Sequence, residues 1–294
     1  MPDASLLTLS NSFADLVDGT AKGVVALRGA RRWPLSGIHW RPGIIVTAEE
    51  GLENDDGVTV LRPDGKTIAA TLVGRDPTTD IAVLRFEADG LPVAATSDAG
   101  ALRAGNLVFA IGRNDVGPVA SAGVAAVAGG AWQSRRGGKI DRLIRLDLRL
   151  SPSGEGGAMV DAAGKVLGMT VPGPRRIVLG IPASTIDRVT DQLLAKGRIA
   201  RGYLGAGLRP ARHGNEAGVL IVSLDPDGPA AKAGLLVGDL ITQWNAQGVG
   251  RVREVMLLLT PESVGTTVSL RLLRGGTPLS QSITIGERPQ RSMS

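Results

Sequence analysis

The stretch Ser153–Gly157, reading SGEGG, constrains this chain more than any other. It is a polar turn with three glycines, set between β-prone runs in RLSPSGEGGAMVDAAGKVLGMTV at residues 149–171. Glycine has no Cβ, so such a turn lets successive backbone N–H groups point into a cleft unobstructed. An apolar strand, a short Asp161–Gly164 turn and a second strand at Val166–Val171 follow it. The segment therefore predicts β-structure on both sides of a turn shaped to present backbone donors.

Runs of the same kind recur upstream, at Val24–Leu27, Ile44–Thr47, Gly57–Leu61, Ile68–Gly74, Ile81–Phe86, Leu107–Ile111, Val119–Val127 and Leu143–Leu148. Turn signals such as the PDG at residues 63–65 separate them, with almost no helical period between, and this spacing predicts an all-β barrel or sandwich. The 41 glycines and 3 % aromatic content suit short strands joined by tight turns. Two stretches read as helices. Residues 6–18 are amphipathic, with Leu9, Phe13, Leu16 and Val17 on one side. Residues 184–199 open on a Ser184 or Thr185 cap, place Ile186, Val189 and Leu193 on the apolar face, and end at Gly197. A chain of 294 residues is too long for one ordinary core and predicts two or three domains.

The absence of cysteine excludes disulfides, thiolate metal sites and a cysteine nucleophile. Net charge is +5, but the excess is spread along the chain, so the arginines read as solvated surface and no nucleic-acid partner is expected. No run of about 18 apolar residues spans a membrane. The N-terminal MPDASLLTLSNSFADLV lacks a basic stretch followed by a long apolar one, which predicts a cytoplasmic protein as the sequence stands.

Three segments stand in order: GIIVTAEEGL at 43–52, DPTTDIAVLR at 76–85 and SPSGEGGAMV at 151–160, trailed by DAAGKVLGMTV and by LGIPAS at 179–184. Their order and spacing resemble those of HtrA-like serine proteases, a chymotrypsin-fold family, over residues 12 to about 198. The resemblance places Asp80 as the triad aspartate, Glu50 in the histidine slot and Glu155 in the serine slot. It places Ser153 where the family has an oxyanion-hole glycine, beside Gly154. Further on, YLGAG at Tyr203–Gly207, the glycine-rich Asp225–Ile241 segment and a helix at Val252–Leu259 resemble that family's PDZ domain across residues 201–286. The implied architecture is mainly β: a chymotrypsin-like double β-barrel at 1–198, a PDZ domain (α+β) at 199–286 and a polar tail at 287–294. The family also implies a trimer built through an aromatic-bearing N-terminal segment, here reduced to Phe13, and a periplasmic or other exported location.

Nucleophilic proteolysis needs a hydroxyl or thiol beside a base that takes its proton. The two histidines, His39 and His213, align with neither triad slot and read as core or surface residues. Ser151 and Ser153 flank Glu155, yet no base is placed to activate them. The scaffold reads as a pseudoprotease without a competent triad. Glu50, Asp80 and Glu155 would converge in one cleft, and three readings follow. They bind a hard cation such as Ca²⁺, Mg²⁺ or Mn²⁺; they form an altered acid/base pair; or the glutamates face solvent or pair with arginines such as Arg75, Arg175 or Arg176. No other cofactor is expected.

In the PDZ segment, Tyr203, Leu204, Gly205, Ala206 and Gly207 would aim N–H groups at a peptide's terminal carboxylate, and the adjoining strand edge would accept an added strand. Val252, Val255, Met256 and Leu259 would line the pocket for its last side chain. The expected partners are protein C-termini or extended peptides. The basic loop Trp132–Lys139 reads as solvated or as a contact for an acidic partner, and the tryptophans at 33, 40, 132 and 244 read as packing. Three functions follow from these readings: a PDZ-mediated scaffold or chaperone-like adaptor, a hydrolase of non-standard chemistry, and a metal-binding structural protein.

Overall fold

A computed structural model describes residues 4–28, 35–53, 56–88 and 90–289, in two compact units, 1–199 and 200–294. Trp33 lies outside the described residues. The first unit opens with helix α1 (Ala4–Ala21). Its buried stripe begins at Phe13, which meets Phe109 edge to face at 5.1 Å, and continues through Leu16 and Val17. Leu9, expected on that face, is instead exposed with Leu6 and Leu7. The apolar period runs on beyond the stretch of the helix that packs on the barrel among the described residues.

Strands β1 (Val24–Arg28), β2 (Leu35–Arg41), β3 (Ile44–Thr47), β4 (Thr59–Leu61), β5 (Thr67–Asp76) and β6 (Ile81–Phe86) close a barrel in the order β1-β2-β3-β6-β5-β4. β5 alternates exposed and half-buried positions along its first half, as a strand with one wet face does. β2 is buried at every position but its last, so it carries no period of two, and sequence pattern passes it over. Strands β7 (Leu107–Arg113), β8 (Pro118–Ala128), the hairpin β9 (Trp132–Gln133) and β10 (Lys139–Ile140), β11 (Ile144–Asp147), β12 (Ala158–Asp161), β13 (Val166–Pro172) and β14 (Val178–Pro182) follow. All but the hairpin close a second barrel, in the order β11-β14-β13-β12-β7-β8.

Arg113, at the end of β7, ties the unit's start to its centre. Its guanidinium donates to the carbonyls of Ala21 (2.9 Å) and Val24 (2.7 Å), capping the end of α1. Its backbone N–H donates to Ser36 Oγ at 2.8 Å. Helix α2 (Ala183–Lys196) closes the unit, burying Ile186, Val189 and Leu193. Trp40 Nε1 donates to Asp187 at 2.8 Å, and Arg41 pairs with Asp187 and Asp191, so the helix is fastened to β2. No side chain caps its N-terminus: Ser184 is exposed, and the Thr185 hydroxyl accepts the Asp141 N–H at 2.9 Å instead. Gly197 ends the helix in the left-handed conformation, φ +69°, donating to Leu193 O.

The second unit holds β15 (Gly202–Tyr203), β16 (Ala206–His213), β17 (Glu216–Leu224), helix α3 (Pro229–Lys232), β18 (Leu240–Trp244), β19 (Gln247–Gly248), helix α4 (Val252–Leu258), β20 (Thr267–Arg274), β21 (Thr277–Thr284) and β22 (Gly286–Glu287). Its main sheet runs β16-β17-β18-β20-β21, leaving β16 at one edge. Asp239, 1 % exposed, is held by Arg274 through two bonds of 2.8 Å and accepts the Leu236 N–H. Burial pushes its carboxyl up, but the Arg274 and Leu236 hydrogen bonds outweigh this and hold it below its usual range. The expected tail does not begin at 287: β22 pairs with β15, and the Arg288 N–H donates to Arg201 O.

Candidate functional site

The triad-slot residues come from three loops of the first unit. Asp76, 3 % exposed, accepts the Thr78 N–H and both the Thr78 and Thr79 hydroxyls, which folds the chain into a turn. Asp80 follows in the left-handed region, φ +57°, a place where a short polar side chain is tolerated. Its Oδ1 accepts the backbone N–H of Glu50 at 2.8 Å. Asp80 thus lies beside the slot that a triad histidine would fill, bonded to the backbone there and not to a side-chain base. Burial pushes its carboxyl up to about 7, with the charges of Glu50, Glu155 and Glu49 adding to the effect and the Glu50 N–H opposing it. Both replaced slots therefore act on Asp80 electrostatically.

Glu50 is half-exposed and turns outward to Arg136, 2.9 Å away. Glu49 beside it pairs with Arg75 at 3.2 Å and approaches Arg136 at 3.7 Å. The arginine partners expected for the slot glutamates included Arg75 but not Arg136, which arrives on the β9–β10 hairpin. That hairpin is no free loop. Ser134 Oγ donates to Thr78 O at 2.5 Å, Arg136 to Pro77 O at 3.1 Å, and a Cβ on Gly138 would collide with Thr78 O. Among the described residues no group of three His, Cys, Asp or Glu side chains is arranged to hold a metal ion, so the cation expected at Glu50, Asp80 and Glu155 finds no cage.

Glu155 is buried at the end of a 3₁₀ turn, Pro152–Gly154. Its N–H points back to Pro152 O (3.4 Å), and its carbonyl accepts the Ser36 N–H at 3.0 Å. Ser36 Oγ also donates to Ser153 O at 2.5 Å. Gly156 has φ +75° and donates to Thr170 O. A Cβ there would collide with Ser36 O and come within 2.6 Å of Thr47 Oγ1, so glycine is required. The loop is locked onto β2 and β3, and its N–H groups are taken up by carbonyls of the turn itself and by Thr170 O. His39 is a core residue. Its Nε2 accepts the Gly43 N–H at 3.2 Å, which leaves the proton on Nδ1 to donate to Pro92 O at 3.0 Å. Burial lowers its pKa, and its ring stands edge to face on Phe86. His213 ends β16 in the second unit.

Glu50 and Asp80 line a cleft of about 640 Å³ walled by Ile140, Leu143, Ile177 and Leu179. Glu155 lines an adjoining one of about 360 Å³, with Leu148, Leu150 and Arg149. Pro172 and Ile177 belong to both.

In the second unit, Leu204 O accepts the Ala230 N–H at 2.8 Å and Gly205 O the Asp225 N–H at 2.9 Å. The C=O and N–H of a trans peptide point opposite ways, so the N–H groups of Gly205 and Ala206 face away from those partners. Tyr203 OH donates to Asp225 Oδ2 at 2.9 Å, Gly205 takes φ +73°, and Gly207 lies in edge strand β16. On α4, Met256 is exposed and Val252 half-buried, whereas Val255 and the following Leu259 are packed into the core. The last two brace the helix and do not line its outer face. Helical spacing places all four near one another but does not tell core from rim.

Comparison with known proteins agrees with this geometry. Residues 35–169 match the trypsin-like peptidase domain family, and residues 202–285 match the PDZ domain family. A probable periplasmic serine endoprotease, DegP-like, of Brucella suis is 30 % identical over 264 residues, covering 84 % of this chain and 51 % of that protein. Serine endoprotease DegS of Haemophilus influenzae is 29 % identical over 260 residues, covering 85 % and 75 %. The chain spans about half the length of the DegP-like relatives it matches. Among solved structures, the HtrA-type protease AlgW with a decapeptide superposes with a TM-score of 0.74 at 25 % identity, covering 95 % of this chain and 99 % of that one. The serine endoprotease from Yersinia pestis superposes with a TM-score of 0.73 at 29 % identity, covering 94 % and 98 %. Among the described residues no helix is long and apolar enough to cross a membrane. Two closed six-stranded barrels followed by a PDZ domain, together with these likenesses, make the chain a member of the HtrA-like, chymotrypsin-fold protease family with a C-terminal PDZ domain.

Proposed function

We propose that this chain is a non-cleaving member of its family, a scaffold or chaperone-like adaptor whose PDZ unit captures protein C-termini or extended peptides. One observation carries the reading: the positions that need a hydroxyl nucleophile and a neutral base hold carboxylates. Glu155 offers no hydroxyl to attack with, and Glu50 is engaged by Arg136. The Glu155 N–H, which an oxyanion hole would use, points to Pro152 O, and Ser153 stands where that hole's glycine is expected. The outward N–H groups of Gly205 and Ala206 beside edge strand β16 support peptide capture, as does the likeness to AlgW, whose solved structure is with a decapeptide.

Unfolded casein incubated with the purified protein is expected to stay intact. Cleavage by the wild type that Glu155→Gln abolishes would replace this reading with a carboxylate mechanism. Cleavage gained only by Glu50→His with Glu155→Ser would show a scaffold that still shapes a protease site. For capture, a labelled peptide with an apolar last residue should bind at least tenfold more tightly with a free C-terminus than with an amidated one. Equal binding would remove the carboxylate from the recognition. We place the protein in the periplasm named for the relatives rather than the cytoplasm, because where this sequence begins says nothing about export.

A further inference from the structure

The barrel cleft carries an unbalanced charge pattern that the PDZ unit does not explain. Its carboxylates are largely neutralised from within. Glu50 pairs with Arg136, Glu49 with Arg75, and Asp80 keeps its proton to about pH 7. Glu155 is 8 % exposed, so its carboxylate does not stand on the rim. The rim is the reverse. Arg135 lines the larger depression, Arg149 and Arg176 line the smaller, and Arg175 sits on the loop between. All four are exposed, and among the described residues none of them is ion-paired with a carboxylate.

Arg175 and Arg176 are also consecutive residues in the left-handed region, at φ +56° and +63°. For residues with a Cβ this costs about 1 kcal/mol or more each. The loop Gly173–Ile177 thus holds two arginines at the cleft mouth against their own backbone preference. The floor is apolar: Leu143 and Leu179 on one side of Ile177, Leu148 and Leu150 on the other. Such a surface seats alternate side chains of an extended polypeptide. It lacks the row of exposed aromatic faces on which bases stack.

We propose that this cleft binds an extended acidic peptide without cutting it, apolar side chains seated in the two depressions and carboxylates against Arg135, Arg149, Arg175 and Arg176. The site is separate from the PDZ carboxylate loop, so one chain would hold a ligand at two places.

The test uses the full chain and a fluorescent ten-residue peptide of alternating Glu and Leu with an amidated C-terminus, which takes carboxylate capture out of the measurement. Fluorescence anisotropy should show binding that weakens at least fivefold between 50 and 300 mM NaCl, because exposed charges are screened over that range. The triple reversal Arg149→Glu, Arg175→Glu, Arg176→Glu should weaken it at least tenfold. Arg175→Gly with Arg176→Gly, which relieves the backbone strain as it removes the charge, should weaken it severalfold and guards against misfolding of the reversal. A Lys/Leu peptide that binds as well, or variants that bind as the wild type does, would overturn the proposal. So would a thymidine dodecamer that displaces the peptide at equal concentration, which would reassign the arginines to general polyanion binding. Mass spectrometry of the bound peptide separates the two readings: a cut peptide would break the non-cleaving function and leave acidic recognition standing.

Discussion

The turn at Ser153–Gly157 and the turn at Tyr203–Gly207 are both glycine-rich, and each belongs to a segment that in its family presents backbone donors to a ligand. They use their peptide groups in opposite ways. In the first, the N–H groups of Gly154, Glu155, Gly156 and Gly157 go to Ser151, Pro152, Thr170 and Gly154 carbonyls. In the second, it is the carbonyls of Leu204 and Gly205 that turn inward, to the Ala230 and Asp225 N–H groups, which sends donors outward. Glycine permits either arrangement. In the first turn three of the four donors close the turn on itself and Gly156 alone reaches another element, at Thr170; in the second the inward carbonyls are held by Asp225 and Ala230 from further along the chain.

The sharpest way to break this contrast is to add a methyl group to each turn. Gly156→Ala meets Ser36 O and Thr47 Oγ1 at a left-handed φ, and should cost the barrel unit about 4 kcal/mol. Gly205→Ala meets the Gly228 Cα at 2.8 Å, a milder overlap than that with Ser36 O at Gly156, and should cost the PDZ unit about 2 kcal/mol. Urea unfolding followed by hydrogen exchange in each unit reads the two separately. Equal costs would show that the first turn is no more tightly locked than the second.

A smaller effect separates the units by pH. Asp80 has its pKa raised from 3.8 to about 7, so the folded barrel unit binds a proton that the unfolded chain has released. Its contribution is fully present below about pH 4 and is lost as the pH rises through 7. Asp239 is shifted down, so its contribution is present above its unfolded value of 3.8 and is lost as the pH falls below that. Asp239→Asn should cost the PDZ unit about 2 kcal/mol at pH 7, because the buried side chain no longer accepts charge-assisted bonds from Arg274 and the Leu236 N–H. Asp80→Asn keeps an acceptor for the Glu50 N–H and should stabilise the barrel unit by about 2 kcal/mol at pH 8, with no gain at pH 4. A barrel unit whose stability does not fall between pH 5 and 8 would mean that burial does not hold a proton on Asp80.

Where neighbours are local, the sequence is readable. β3 and β6 match their predicted spans residue for residue, since each is a short, mostly apolar run between turn residues. β2 and β14 escape such a reading, the first because it is buried on both faces and the second because LGIP is short and ends in proline. Asp80, Glu50 and Glu155 are traceable as positions through motif order. Their partners are not. Arg136 lies 86 residues beyond Glu50, and only the hairpin's docking on Thr78 brings it there. The same holds for Thr185, a plausible cap by its place before a helix, whose hydroxyl is taken by Asp141 from another loop. A hydroxyl's nearest backbone in sequence loses to one delivered by the fold.

The pairing of β15 with β22 has a mechanical consequence. The PDZ unit's first and last strands are zipped antiparallel, Gly202 to Glu287 and Tyr203 to Gly286, so the chain enters and leaves at one seam. Tension between the two ends would load those rungs one after another, as a zipper is pulled, rather than all at once in shear. The first structure to yield would be this two-rung seal, before the six-stranded sheet of the unit. Tyr203 is both a rung of the seal and the first residue of the loop that turns its donors outward, so a pull on the tail would be felt at that loop before it reached the core.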